Sequence, residues 1–215
     1  MYLFNRREIG SLLVAFFLFT VLGTGKATEP LTQAQKSSIE EVAQRSALLE
    51  KVNSKIWDLA EVGLNETQSA NILIEQLLKE GFSVEQDIAG MPTAFVASYG
   101  EGKPVIGILA EYDALPGMSQ ERSAVKTPVK SGEPGHACGH SGLGTGSLGA
   151  VLAIKASMEK HNLKGTIRLY GTPAEETVIG KVYMLLGGEF KDLDVCLHWH
   201  PSTKTRALAG SSKAL

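Results

Sequence analysis

The stretch "GHACGH", Gly135 to His140, places two histidines and a cysteine within five residues of a 215-residue chain that has only five histidines and two cysteines in all. The other residues able to do chemistry fall in three further short segments: Glu111 and Asp113 in "AEYDALPG", Glu175 and Glu176 in "GTPAEET", and His198 and His200 in "HWHPS". Thiolate, imidazole and carboxylate together make the donor set of a borderline divalent metal such as zinc or manganese. Each segment also has a plainer reading. Cysteine is often simply buried, Glu175-Glu176 suits the positive end of a helix, and Asp113 suits a turn ahead of Pro116 and Gly117. Along an extended segment His198 and His200 face opposite ways, so one of them is expected to reach a metal. Outside these segments only His161 remains, at a helix end, and it reads as a surface residue.

The elements that must position these residues follow from periodicity. From Leu31 to about Val62, Ile39, Val42, Leu49, Val52, Ile56 and Leu59 recur at helical spacing and predict one amphipathic helix. A second helix is expected from about Thr67 to Glu80, stopped by Gly81. Strand-like runs cover 82–86, 94–99 and 104–110, the last two joined by "GEGK", which has hairpin chemistry. "VIGILA" is continuously apolar, as a strand covered on both faces should be. After it come about 30 residues without periodicity, the kind of loop that is usually functional. A helix over 142–160, with small residues in its first turns, a strand over 166–170, a short helix over 181–186 and a strand over 194–198 complete the series. Such alternation predicts an α/β fold: a three-layer, mostly parallel sheet with helices on both faces. In that fold ligands collect at the carboxyl ends of the strands, which is where all four segments lie.

Composition narrows the function classes. With 43% apolar and 20% charged residues the chain can bury a real core. A net charge of −2, with Lys and Arg scattered, argues against nucleic acid as a partner. At the N-terminus, Arg6-Arg7, an apolar run from Ile9 to Leu22 and the small-residue end at Ala27 form a signal-peptide pattern over residues 1–27. Export to the periplasm or beyond, with no stable membrane span after cleavage, is the expectation, because the run is shorter than the about 20 residues a spanning helix needs. In an oxidising compartment Cys138 and Cys196 have a second reading, a structural disulfide.

In this order, "LAEYDALPGMSQ", "PGHACGHSGLGTGSLGA", "GTPAEET" and "VCLHWHPS" resemble the metal-dependent amidohydrolases related to aminoacylases and auxin-conjugate hydrolases, most closely those of the aminobenzoyl-glutamate hydrolase type. The resemblance implies a dinuclear-metal exopeptidase-like catalytic domain, here residues 28–215. It implies Cys138, His140, Glu176 and His200 as ligands of divalent metal, zinc or manganese, with two ions in the complete site. Glu175 would be the general base and Asp113 an orienting residue, with His136 and Ser141 near the substrate or behind the ligands. Cys138 ligation needs a thiolate and excludes the disulfide, and Cys196 would then be a buried strand residue. The implied reaction is hydrolysis of an amide between an acyl or aroyl group and an amino acid by a metal-activated water. Ser141 stands where these families usually have Asp or Asn. The family's lid domain, with its dimer contacts and a further ligand histidine, is expected beyond this sequence, leaving the domain incomplete at its C-terminus. A homodimer or complementary subunit then enters as a partner. The competing reading is a catalytically incomplete fragment that keeps the fold and a partial metal site as a binding module.

Overall fold

A computed structural model describes residues 30–204; the expected signal peptide, 1–27, lies outside them. Among the described residues no helix is long and apolar enough to cross a membrane. The predicted first helix is two, α1 (Gln33–Gln44) and α2 (Ser46–Leu59), broken at Arg45 with φ −89° and ψ 4°. The break is held by charge: Arg45 pairs with Glu41 on α1 and, across the chain, with Glu80. Thr32 and Gln35 close α1 with a capping box. After α2, α3 (Thr67–Lys79) follows the polar turn containing Glu66, and Gly81, at φ +81°, ends it.

Five strands form one sheet in the order β1 (Ser83–Gln86), β2 (Phe95–Glu101), β4 (Gly165–Gly171), β3 (Val105–Ala110), β5 (Val195–Leu197). The β1–β2 and β2–β4 pairs are antiparallel, and the β4–β3 and β3–β5 pairs parallel. The α/β architecture therefore stands with a mixed sheet in place of a mostly parallel one. The "GEGK" hairpin does not form, because β4 enters between β2 and β3. Its first residues grip the mouth of that turn, Thr166 N–H donating to Pro104 O at 2.9 Å and its hydroxyl to Gly102 O at 2.8 Å. The strand enters at close quarters, and a Cβ on Gly100 would lie 2.3 Å from Gly165 O.

Helices cover both faces. On one, Phe95, Ala97, Ile108, Ala110, Ile167 and Leu169 pack against α2, α3 and the central helix α4 (His140–His161). On the other, Val96, Leu109 and Tyr170 meet Ile88, Met91 and Met184, the last from α5 (Gly180–Gly187). β5 is an edge strand with a single neighbour, and all three of its residues are exposed. Cys196, expected to be buried, is exposed for that reason, and both cysteines are free.

The small residues of α4 have a steric reason. A Cβ on Gly144 would lie 2.7 Å from the carbonyl oxygen of Glu111, and one on Gly149 2.9 Å from Leu49 Cδ1 of α2. The helix thereby presses its N-terminal turns onto the end of β3. Alanine has the better helix propensity by about 1 kcal/mol, yet Gly144→Ala is expected to destabilise the fold by about 1–3 kcal/mol through overpacking against an unyielding backbone oxygen. Urea denaturation measures this, and a stability gain would mean that the approach of α4 to β3 is not tight.

Candidate metal centre

At the carboxyl end of β3 the chain enters the long loop 111–139, which is pinned in place. Ala114 N–H donates to Glu61 O at 2.8 Å, and Leu115 and Gly135 exchange both backbone hydrogen bonds at 3.0 Å, so the loop returns beside its own start. Only glycine fits at 135, where a Cβ would lie 2.1 Å from Met118 O. This doubling back delivers Cys138 and the α4 N-terminal His140 next to Asp113. At the end of β4, Thr172 ties its N–H (2.9 Å) and hydroxyl (3.0 Å) to Ala110 O, which brings the 3-10 turn Glu175–Thr177 alongside.

Asp113, buried, joins these segments. One carboxylate oxygen accepts from His140 Nδ1 at 2.9 Å and the other from Glu176 N–H at 3.0 Å. With Nδ1–H given to Asp113, the Nε2 lone pair of His140 points away from it. That Nε2 lies 3.2 Å from Glu111 Oε2 and 3.8 Å from both Glu175 Oε2 and Glu176 Oε1. His140 Nε2, Glu111 Oε2 and Glu176 Oε1 are all buried without a hydrogen-bond partner. A lone pair facing carboxylate oxygens in a buried place is unfavourable unless a proton or a cation lies among them. On the other side of His140, Cys138 Sγ and His200 Nε2 are 3.3 Å apart, and the His140 and His200 rings meet edge-on at 6.0 Å. Ligand atoms of Cys138, His140 and His200 lie within 4.8 Å of one another, as do those of Glu111, His140 and Glu175. The donors fit a divalent cation of mixed soft and hard preference.

The electrostatics point the same way. Burial, with Glu176, Glu175 and Glu111 nearby, pushes the Cys138 thiol up to about 11, so a thiolate there requires a compensating cation. Burial would lower the His140 pKa, but Asp113 and Glu111 more than offset it and the net direction is upward. Glu176 is raised, first by burial. Burial would also raise Glu111, yet His198 and Lys181 bind it so closely that it falls to about 2. Of the residues singled out in the sequence, Asp113, Cys138, His140, Glu175, Glu176 and His200 come together. His136 turns away, its Nε2 3.0 Å from Ile56 O, and burial lowers its pKa. Ser141 is buried in the first turn of α4, its carbonyl accepting from the Thr145 hydroxyl at 2.8 Å.

Three participants carried no assigned role in the sequence. Glu111, 1% exposed, takes Lys181 from α5 and His198 (3.0 Å) on one oxygen. Its position two residues before Asp113, at a strand end, is the signal that could have found it. Lys181 had no signal. Glu66, fully buried, accepts from Ala174 N–H at 2.7 Å and from the Thr93 hydroxyl at 3.0 Å, holding the left-handed turn at Ala174 (φ 55°) that precedes Glu175. A glutamate ahead of a helix gives no sign of such a reach.

Residues 107–210 match peptidase family M20/M25/M40. The chain is 43% identical over 164 residues to a component of the p-aminobenzoyl-glutamate hydrolase of Escherichia coli, covering 74% of this chain and 34% of that protein. It is 32% identical to the hippurate hydrolase of Campylobacter jejuni, covering 75% and 41%. It thus spans about a third to two-fifths of the length of these relatives. Among solved structures it is similar to a Bacillus subtilis dinuclear metal binding peptidase from the M20 family, with a TM-score of 0.58 and 26% identity over 71% of this chain and 43% of that one. An aminobenzoyl-glutamate utilization protein from Klebsiella pneumoniae shares the fold, with a TM-score of 0.55 at 19% identity over 75% of this chain and 46% of that one.

The charges around the cluster lead to two tests. In the metal-free chain, alkylation of Cys138 is expected to be slow at pH 8 and to accelerate towards pH 11. Glu176→Gln removes a negative neighbour, lowers the thiol pKa and speeds the reaction at pH 8 several-fold; peptide mass spectrometry reads both. Glu111 is depressed in the folded state, so its pairing stabilises the fold above about pH 4.5 and is lost as the pH falls towards about 2. Lys181→Met should therefore destabilise at pH 7, and its deficit should shrink in that acid window. A deficit independent of pH would mean that Lys181 acts through packing.

Proposed function

From a chain whose residues 107–210 belong to peptidase family M20/M25/M40, we infer a metal-dependent hydrolase that cleaves the amide bond between an acyl or aroyl group and an amino acid. The observation that carries this reading is the convergence of the partnerless His140 Nε2, Glu111 Oε2 and Glu176 Oε1 beside Cys138 and His200. Cys138, His140, Glu176 and His200 are the proposed ligands, with zinc or manganese suited to their mixed donors and two ions in the complete site. When bound, such a cation acidifies a water towards a pKa of about 7 and polarises the scissile carbonyl.

The remaining work falls to the protein. Glu175, 38% exposed at its side chain, stands at the open side of the cluster. It takes a proton from the attacking water and delivers it to the amide nitrogen as the carbon–nitrogen bond breaks, so that a carboxylic acid and an amine leave and Glu175 ends as it began. Asp113 holds the imidazole of His140 in one tautomer and one orientation, and Glu66 holds the turn that aims Glu175. The substrate class rests on the two relatives: hippurate and aminobenzoyl-glutamate are both aroyl groups joined to an amino acid by an amide. The short span relative to those proteins supports an active unit that includes a further domain or a companion chain. Export rests on the signal-peptide pattern of residues 1–27.

Incubation with aminobenzoyl-glutamate, hippurate and other N-acyl amino acids, with zinc or manganese in one arm and a chelator in the other, tests the reading. Turnover is expected only with metal. Glu175→Ala should lower kcat by about 100-fold or more while metal content holds, whereas Glu176→Ala should lose metal. Metal binding without turnover of any amide would favour a binding module over an enzyme.

A further inference from the structure

Resting on the reading of Cys138, His140, Glu176 and His200 as metal ligands, we propose that Trp199 is a positioning residue which, seated on Gly146 and Ser147 of α4, sets His198 and His200 to opposite sides of the site. The three residues of "HWH" follow an edge strand with all three residues exposed, so the sheet alone gives them little guidance. Each has its own attachment. His198 Nε2 lies 3.0 Å from Glu111 Oε1, His200 Nε2 lies 3.3 Å from Cys138 Sγ, and between them Trp199 reaches α4.

That middle attachment is built on both sides. The indole N–H donates to Ser147 Oγ at 3.2 Å, and the Ser147 hydroxyl, fully buried, donates in turn to Leu109 O at 2.8 Å. Leu109 is two residues before Glu111 on β3, so one short relay connects the strand that ends in Glu111, the helix that begins with His140 and the segment that carries His200. The ring lies on Gly146, where a Cβ would come within 2.7 Å of Trp199 Cζ2. Any side chain there lifts the indole, and with it the histidine on either side. Alternation along an extended segment then does the rest, sending His198 to Glu111 and His200 to Cys138.

Cobalt(II) titration of the 215-residue chain tests this, since a thiolate–cobalt charge-transfer band reports ligation at Cys138 and the midpoint reports affinity. Gly146→Ala replaces a helical glycine by the best helix former, so a merely structural role predicts equal or higher thermal stability and unchanged affinity. The expected result is equal or higher stability with cobalt affinity reduced about 10- to 100-fold, as for other residues that orient ligands. Trp199→Phe, which keeps a ring and removes the N–H, should reduce affinity in the same direction. Cys138→Ser and His200→Ala serve as controls on the site itself. If these two weaken cobalt binding while Gly146→Ala and Trp199→Phe bind as tightly as the unmodified chain, the positioning role is overturned and the metal site stands. If Cys138→Ser and His200→Ala also bind unchanged, or the unmodified chain binds no cobalt, the ligand assignment fails and the positioning role with it.

Discussion

The carboxylate of Asp113 is the constraint on which the candidate centre depends. Its two oxygens hold two segments far apart in sequence, His140 at the head of α4 and the backbone of Glu176 after β4. Neither segment could be placed by its own secondary structure, since one follows a long loop and the other a 3-10 turn of three residues. By taking the Nδ1 proton of His140, Asp113 also decides which nitrogen faces the carboxylates. The chemistry of the site is thus set by a residue that need not touch metal or substrate.

That arrangement is costly without compensation. Glu111, Asp113, Glu175 and Glu176 bring four carboxyl groups around one buried imidazole and a thiol, and burial of like charges raises the free energy of the ionised forms. The chain compensates part of it from within. Lys181 and His198 neutralise Glu111 strongly enough to hold it near the bottom of the carboxylate range, against burial that acts the other way. No described basic residue does the same for Glu176 and Cys138, whose proton affinities burial and neighbouring charge raise. The imbalance is local, and it marks the side of the cluster where a divalent cation is at home.

Close packing makes the cluster rigid. Gly144 lets α4 approach the end of β3, Gly146 seats Trp199 and Gly149 admits Leu49, so three sides of one helix are cut to fit three different neighbours. A helix with ordinary side chains at these positions would stand off from the sheet and take His140 with it. Glu66 plays the corresponding part on the far side, fixing a left-handed turn at Ala174 that a free chain would seldom adopt.

Residue type and order alone determined the α/β class, the position of the helices and strands to within a few residues, and the set of donors at the strand ends, because hydrophobic period and metal-ligand chemistry are both local properties. The paired reading of "HWH" was legible for the same reason, since alternation needs no tertiary knowledge. The break at Arg45, the insertion of β4 between β2 and β3, the exposure of Cys196 on an edge strand and the turning away of His136 were not legible. Each depends on which segments become neighbours: Glu80 approaching Arg45, Thr166 gripping the "GEGK" mouth, β5 having one partner, Ile56 O meeting His136. Glu111, Lys181 and Glu66 belong with these. Their carboxylates and ammonium look like ordinary surface charge in one dimension, and only the fold, by burying them beside one another, makes them part of the site.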